Sequence, residues 1–511
     1  MPNHQVATSA GMNFRGFKLT GHWLFSSFLI FYGALLLSQL QHGLASGDAH
    51  GIVRTAQALV ENHRLEVSRP PGHPTTEFYL LGAAGWILKR GFGCKFDDQA
   101  YLIFQLLGAL ATLVVFYELV CRLGAARWRA LLAAMCLAFS AQYFLNAIDG
   151  EEFNFALLFL MLAIRLLILP PDLVPPFGRL CLSILFFALA TGCRPEILFA
   201  VVIFPIYCVL HPKLGWKYAV ATLPMQAAAI FAIWLPVLWI GLRAPYTAGM
   251  NVQESVLGGG YRLVFQCFTP PVFLLLCWIL VSALGCVRQR IRHSFPDNFV
   301  FTVSCLVPLI FFIVFFRHAS KAGHVLVVLP FLLLLVVECS NVLLVALTAA
   351  TLVGCFVSVD IFKDRQLTHP FLVPGTYFQA VRAKPYYKLA YIRELVRRCE
   401  TRPTAIIGNV WPWDFEYHLV RGNLFGRKEL LGEGKKPELV AFFPRADDGC
   451  LVLTRDVAYE NRLLEDWQAK GYALKMDATL YRTLFARYNV TAPQSRFAIV
   501  GGVSFTLFSI K

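Results

Sequence analysis

The sequence predicts an α-helical polytopic membrane protein with about eleven transmembrane helices, outer juxtamembrane helices and a C-terminal soluble α/β domain. Three observations predict this fold class. Of the 511 residues, 57% are hydrophobic and only 15% are charged, whereas about a quarter of a soluble globular chain is charged. The apolar residues are gathered in long runs, and the basic residues lie between those runs. That placement favours cytoplasmic loops over a nucleic-acid surface, so no nucleic-acid partner is expected.

About eleven apolar runs are candidates for membrane helices, because a helix that rises about 1.5 Å per residue needs about 20 apolar residues to cross about 30 Å of hydrocarbon. The runs are 22–40, 100–120, 130–147, 153–169, 180–192, 197–210, 219–240, 271–287, 299–316, 324–337 and 342–359. Several are short for a full crossing. Together they form a transmembrane domain over residues 1–362.

The positions of Lys and Arg predict the orientation, since cytoplasmic loops are rich in these residues. With the N-terminus inside, the loops that hold Arg129, Arg165, Lys213 and Arg290 also lie inside. The tight turn around Ser340 is the one inner joint without a basic residue of its own. An odd number of spans then places everything after residue 359 outside.

A further apolar segment, residues 75–88, follows the Pro-rich sequence SRPPGHP. If it crossed the membrane, every later loop would change sides and the basic loops would face outward. About 14 residues are also too few for a comfortable crossing. We therefore expect a short helix in the outer interface, within a first outer loop that runs from about residue 41 to 99.

The tail, residues 363–511, has a different character. The strand-like sequences TAIIG and GCLVLT alternate with helix-like stretches at 387–398 and 459–469, which predicts a small extracytoplasmic α/β domain. Of the 14 cysteines, most lie inside apolar runs as small hydrophobic residues. Cys399 and Cys450 lie in the tail and can pair there if it faces an oxidising compartment.

Ionisable residues at the outer ends of the predicted spans are candidates for function, because holding them at a membrane surface costs free energy. The candidates are Asp48 and His50 in SGDAHG, Asp149, Glu151 and Glu152 in AIDGEEF, Arg194 and Glu196 in TGCRPEI, and Arg317, His318, Lys321 and His324 in FRHASKAGH. Each has a simpler explanation, since acids cap helices and basic side chains reach lipid headgroups. The histidines lack the spacing of metal ligands, so no metal site is expected. The convergence of carboxylates and cations on one face favours a functional site.

Four short motifs, taken in order, carry a likeness to a known family. They are Asp48 just after the first span, RPPGHPTTEFYLLG at 69–82, the acidic turn at 149–152 and RPE at 194–196. In this order they resemble the glycosyltransferase-C superfamily, in particular its bacterial lipid-linked-sugar transferases. That branch includes the aminoarabinose and galacturonate transferases and is joined by the protein O-mannosyltransferases. The resemblance covers residues 1–340.

The resemblance implies transfer of a sugar from a polyprenyl monophosphate to a hydroxyl of a lipid, glycan or protein acceptor, with inversion and without a cofactor. It implies an integral protein of the bacterial inner membrane, with the active site and C-terminal domain periplasmic. Expected catalytic residues are Asp48, as general base, with Asp149, Glu151 and Glu152. Arg194, Arg317 and Lys321 are expected to bind the donor phosphate, and His50, Arg69, His73, Glu196, His318 and His324 to contact substrate.

One departure from the family leaves two alternatives for the residue that acts as the general base. The acid of the first loop is often followed by a second acid in the family, whereas Asp48 is followed by Ala49 and His50. The base is therefore either Asp48 or a carboxylate of the second outer loop. A transporter or flippase for a lipid or an anion is the alternative function, and it predicts ionisable residues near mid-span and matched halves. A sensor is a third class, but it leaves the outer cluster unexplained.

Overall fold

A computed structural model describes most of the transmembrane region and the strands of the tail. The described residues are 15–38, 75–93, 98–149, 153–168, 176–241, 270–290, 295–318 and 322–357, isolated positions between 52 and 63 and at 260 and 264, and the strands at 404–407, 429–430, 440–441, 449–453, 490–499 and 503–510.

The transmembrane region is helical throughout its described part. Its helices are α1 (Arg15–Leu37), α2 (Thr75–Phe92), α3 (Asp98–Arg122), α4 (Arg127–Ala138), α5 (Ala141–Asp149), α6 (Phe153–Leu167), α7 (Pro176–Cys193), the 3₁₀ helix η1 (Pro195–Val202), α8 (Ile203–Leu210), α9 (Trp216–Gly241), α10 (Pro270–Arg290), α11 (Phe295–His318), the 3₁₀ helix η2 (Ala322–Val327), α12 (Leu329–Cys339) and α13 (Val342–Val357). Each apolar run predicted to span the membrane coincides with one of these helices or with two in succession.

The lengths of these helices set how many can cross a bilayer. Within the described residues, two helices are long and apolar enough by length and composition, Ala100–Arg122 and Trp216–Pro236. The pair α4 and α5 adds a third if its two parts, bent by 64° to each other, form one span. At the bend, the Ser140 hydroxyl donates to the Leu137 carbonyl at 2.8 Å, so a side chain competes with the helical ladder. The number of crossings stays a prediction.

An aromatic cluster joins the beginning and the end of the bundle. Tyr32 of α1 lies edge-on to Phe139 and Phe144, and Phe356 of α13 packs edge-on against the same two rings. The buried Tyr32 hydroxyl donates to the Ala138 carbonyl at 2.7 Å, which satisfies its polar atom inside the core. The first and last described helices therefore share one core.

One end of the bundle collects the basic residues that the sequence assigns to the inner side. Arg165 at the end of α6 pairs with Glu118 near the end of α3, with 2.5 Å between nitrogen and oxygen. Arg129 in the first turn of α4 donates to the carbonyls of Val337 and Ser340 at the end of α12. The turn at Ser340 lacks a basic residue of its own, and Arg129 supplies the cation that a helix C-terminus favours.

Loss of Arg129 is expected to destabilise the bundle. In Arg129→Ala the last carbonyls of α12 lose a charged donor, and each such hydrogen bond contributes about 1.5–3 kcal/mol. We expect a lower apparent melting temperature of the protein in detergent, measured by intrinsic fluorescence. The control is Arg122→Ala, which removes an exposed cation at the end of α3 and is expected to change stability by at most about 0.5 kcal/mol. Equal melting temperatures for both variants and the parent would contradict this role.

The helix predicted at 75–88 is present and is longer than expected, since α2 extends over 18 residues to Phe92. Leu81 is buried in a small cluster with Ile52 and Val53 of the loop after α1 and with Tyr101 of α3. Tyr79, Trp86, Ile87 and Phe92 are exposed. An apolar outward face suits a membrane surface, and the interfacial placement stays a prediction.

The tail contains a four-stranded sheet in the order β1 (Thr404–Ile407), β4 (Gly449–Leu453), β6 (Val503–Ile510) and β5 (Val490–Ile499). β1 and β4 are parallel, and the other two pairings are antiparallel. β2 (Glu429–Leu430) and β3 (Val440–Ala441) form a separate antiparallel pair. The sequences TAIIG and GCLVLT contain β1 and β4. The helices predicted at 387–398 and 459–469 lie outside the described residues, and the soluble domain stays a prediction.

Candidate active site

The sequence candidates fall into three groups. Arg194, Glu196 and His324 have described side chains. Asp149 is the last residue of α5, and Arg317 and His318 are the last two residues of α11, where only the backbone is described. Asp48, His50, Arg69, His73, Glu151, Glu152 and Lys321 lie outside the described residues.

The three described candidates come from two segments, the turn at Arg194 and Glu196 and the helix η2 with His324, and they lie together. They meet at the start of α6, and that helix carries Arg165 and its Glu118 contact at its other end. The site is therefore at the opposite end of α6 from the basic cluster. We call Arg194, Glu196, His324 and the Phe153 ring the outer cluster.

Proline at position 195 accounts for the backbone at Arg194. A residue before proline is pushed out of the helical region, and Arg194 has φ −144° and ψ 119°. Its N–H still donates to the Ala190 carbonyl at 2.9 Å, so the hydrogen-bonding pattern of α7 continues to Arg194. Pro195 is then the first residue of η1. The sequence RPE thus fixes a sharp turn from which the Arg194 side chain leaves the helix axis.

The Arg194 guanidinium lies in the interior, with its side chain only 3% exposed. Its central carbon is 3.7 Å from the centroid of the Phe153 ring, which is the geometry of a cation–π contact. Its Nε is 3.4 Å from Oε2 of Glu196. An aromatic face and a carboxylate therefore hold this cation from two directions.

Glu196 also pairs with His324, whose Nδ1 contacts Oε1 of the carboxylate. Glu196 lies in the turn that precedes the predicted span 197–210. Burial raises the pKa of Glu196, but the Arg194 and His324 charges outweigh burial and hold that pKa well below its usual range. Glu196 therefore stays ionised, and such a carboxylate is a poor proton acceptor.

Gly323 allows η2 to approach α6 closely. A Cβ at this position would lie 2.8 Å from Cε2 of Phe153, closer than carbon atoms approach without a clash. Next to it, the His324 ring lies edge-on to Phe153 with centroids 6.0 Å apart. Any larger residue at position 323 has to displace the ring on which Arg194 lies.

Asn146 borders the same contact from the last turns of α5. Its Nδ2 donates to the Gln142 carbonyl at 2.6 Å and lies 3.5 Å from the position of a Cβ on Gly323. Its Oδ1 is buried without a hydrogen-bond partner among the described residues. The sequence reasoning named neither Asn146, Phe153 nor Gly323. Phe153 directly follows the acidic turn, which is the one signal that could have drawn attention to it.

The outer cluster supplies a fixed cation, an ionised carboxylate and an imidazole in a largely dry environment. Such preorganised charge stabilises negative charge that develops during a reaction. Within the described part of the chain, no three His, Cys, Asp or Glu side chains are grouped to hold a metal ion. The arrangement suits a reaction in which a phosphate leaves, provided that a separate carboxylate takes up a proton.

Comparison with known proteins gives a match at the level of structure. No protein-family profile matches the sequence, and no curated protein sequence matches it. The fold is similar to the crystal structure of ArnT from Cupriavidus metallidurans bound to undecaprenyl phosphate, with a TM-score of 0.54 and 10% identity over 95% of this chain and 97% of that one. The apo structure of the same protein gives a TM-score of 0.51 and 11% identity over 95% and 98% of the two chains.

The Pmt1-Pmt2 protein O-mannosyltransferase complex of S. cerevisiae, bound to its sugar donor, aligns over 46% of this chain and 36% of that one. Its TM-score of 0.34, at 17% identity, is too low to show a shared fold. The two ArnT structures align with nearly the whole of this chain. Because their sequence identity to this chain is low, the likeness concerns the fold alone. The fold expected from the short motifs is therefore confirmed: the fold of this chain is similar to that of ArnT.

Proposed function

We propose that this protein is an integral membrane glycosyltransferase that moves a sugar from a polyprenyl monophosphate to an acceptor hydroxyl, with inversion. The outer cluster is the main support for the proposal, because it places a buried cation and an ionised carboxylate from one turn against His324 of η2 at one end of an ArnT-like fold. The ArnT structure in the comparison holds undecaprenyl phosphate, which supports a lipid-linked donor here. The acceptor is a lipid, glycan or protein that presents a hydroxyl.

The chemistry requires a base and a stabilised leaving group. The acceptor oxygen attacks the anomeric carbon while its proton passes to a carboxylate, and the bond from that carbon to the phosphate oxygen breaks. The polyprenyl phosphate leaves with the bonding electrons. Asp48 is the proposed base, since a general base contributes about 10² to 10⁴ in rate. Glu196, kept ionised by its two partners, is assigned to holding Arg194 and His324 in place.

The other candidates take supporting roles in this proposal. Asp149, Glu151 and Glu152 orient the acceptor or the base from the second outer loop. The fixed charge of Arg194 stabilises the phosphate as it leaves, and Arg317 and Lys321 contact that phosphate directly. His50, Arg69, His73, His318 and His324 line the substrate path. Neither a metal nor another cofactor has a role in these steps.

The site faces the periplasm in this proposal, as does the tail. Single cysteines in a cysteine-free background test it with a membrane-impermeant maleimide applied to intact cells whose outer membrane is permeabilised. Lys435→Cys in the tail is expected to react, whereas Arg290→Cys at the basic end of α10 is expected to react only after lysis. If Arg290→Cys is labelled from outside and the tail cysteine is protected, the protein has the opposite orientation and the proposed one is wrong.

A transporter or flippase is the rival function. It predicts ionisable groups near mid-span, whereas the ion pairs at Arg194 and at Arg165 lie at the ends of helices. The functions differ in their products, because a transferase cleaves the sugar–phosphate bond and a flippase leaves it intact.

The deciding experiment uses the full chain in lipid nanodiscs with a mixture of undecaprenyl-phosphate sugars and an acceptor fraction from the cell envelope. Mass spectrometry is expected to detect free undecaprenyl phosphate together with an acceptor that has gained one sugar. Comparison of envelope lipids and glycans with and without the gene identifies that acceptor in cells. Intact donor after incubation, with an unchanged envelope in cells, would reject the proposal.

A further inference from the structure

Phe153 is the first residue of α6 and is fully buried. One part of its environment is the Arg194 guanidinium, 3.7 Å from the ring centroid. Another part is η2, where Gly323 approaches the ring edge and His324 lies perpendicular to the ring. A single side chain therefore contacts both segments that bring charged groups to the outer cluster.

Apolar packing alone does not require this arrangement. An aliphatic residue also packs in an apolar core, but it offers no negative face to a cation, and burying a guanidinium without compensation is costly. The glycine at 323 is equally specific, because a Cβ there would collide with the ring at 2.8 Å. The ring and the missing Cβ together fix the position of the Arg194 charge.

Phe153 also stands next to the acidic turn, since Glu151 and Glu152 immediately precede it and Asp149 ends α5. We infer that Phe153 is a positioning residue, which holds the Arg194 charge in place within the outer cluster, with Gly323 providing the room for its ring. This inference rests on the proposed function and concerns the recognition of a polyprenyl monophosphate.

The test separates cation–π attraction from packing. Phe153 is replaced by phenylalanines that carry one, two or three ring fluorines, which weaken the negative face of the ring in steps while changing its size little. Binding of undecaprenyl phosphate to the purified full chain is measured by native mass spectrometry. We expect the logarithm of Kd to rise steadily with the number of fluorines, to a total loss of about two- to thirtyfold, in line with about 0.5–2 kcal/mol for a cation–π contact.

The matched control is the same series at Phe187, a fully buried ring of α7 that packs edge-on against Phe204. Kd is expected to stay constant across that series. Gly323→Ala is a second probe, and we expect it to weaken binding in the same direction because it displaces the ring. In the transfer assay, the Phe153 series is expected to raise KM for the donor while KM for the acceptor stays constant.

The outcomes distinguish a failure of this inference from a failure of the proposed function. If the parent chain binds undecaprenyl phosphate and the Phe153 series leaves Kd unchanged, Phe153 is a packing residue and the inference is wrong. If both series weaken binding equally, fluorination acts through general packing, and the inference is again wrong. If the parent chain neither binds undecaprenyl phosphate nor transfers a sugar, the proposed function fails and the inference fails with it.

Discussion

Asp48→Asn is expected to lower the turnover of sugar transfer by at least about a hundredfold, because it removes the carboxylate that accepts the acceptor proton. The amide has nearly the same size and shape, so folding and binding of undecaprenyl phosphate are expected to persist. The measurement is single-turnover transfer from a polyprenyl-phosphate sugar in nanodiscs, with donor binding measured in parallel. Loss of chemistry with binding retained is the signature of a base.

The comparison variants decide between the two outer loops. Asp149→Asn and Glu151→Gln are expected to reduce turnover less than Asp48→Asn, because these residues orient groups without accepting the proton. Asp172→Asn, in a predicted inner loop, is the control and is expected to leave turnover unchanged. If Asp48→Asn stays nearly as active as the parent while Asp149→Asn or Glu151→Gln abolishes transfer, the base belongs to the second outer loop.

Arg194→Gln is expected to lower kcat/KM for the donor by about 10² to 10³, the usual effect of removing one preorganised electrostatic contact. A stability loss accompanies it, because removing one partner of a buried ion pair costs up to about 3–5 kcal/mol, and less where the remaining group is partly exposed. Glu196 has 19% of its side chain exposed, so the lower part of that range applies. Transfer kinetics and the apparent melting temperature are measured on the same preparation.

A double variant separates these two effects. In Arg194→Gln with Glu196→Gln the carboxylate that lost its partner is removed, so the melting temperature is expected to recover while transfer stays low. Arg165→Gln is the control, because it breaks the ion pair with Glu118 at the other end of α6 and is expected to leave donor kinetics unchanged. Recovery of transfer in the double variant would show that Arg194 serves only to neutralise Glu196.

Hydropathy and charge were sufficient to predict the helical segments and the grouping of their ends. The runs at 100–120 and 219–240 correspond to α3 and α9, since long apolar segments have few other stable structures in a membrane. Arg194, Glu196 and His324 could be assigned to one face from their place in the alternation of loops. Their direct contact required the fold, because the sequence gives the side of the membrane and not the distance between loops.

Phe153 and Gly323 could not have been found in the same way. Apart from its place directly after the acidic turn, Phe153 resembles its neighbours Phe155 and Phe159 in the sequence until the partner of its ring is known. Gly323 matters only because η2 passes within contact distance of that ring. The bend after α4 was also not predicted, since the run 130–147 contains no proline and the break involves a serine hydroxyl.

The 3₁₀ helix η1 lengthens one of the short apolar runs. A 3₁₀ helix rises about 2.0 Å per residue, against about 1.5 Å for an α-helix. The 8 residues of η1 and the 8 of α8 therefore extend about 28 Å, whereas the same chain wound wholly as α-helix extends about 24 Å. The extra length lies at the end where Arg194, Glu196 and His324 are found. The 3₁₀ segment therefore brings the predicted span 197–210 closer to the thickness of a hydrocarbon layer, and we expect these charged groups to lie at the margin of that layer, at the depth of lipid phosphates.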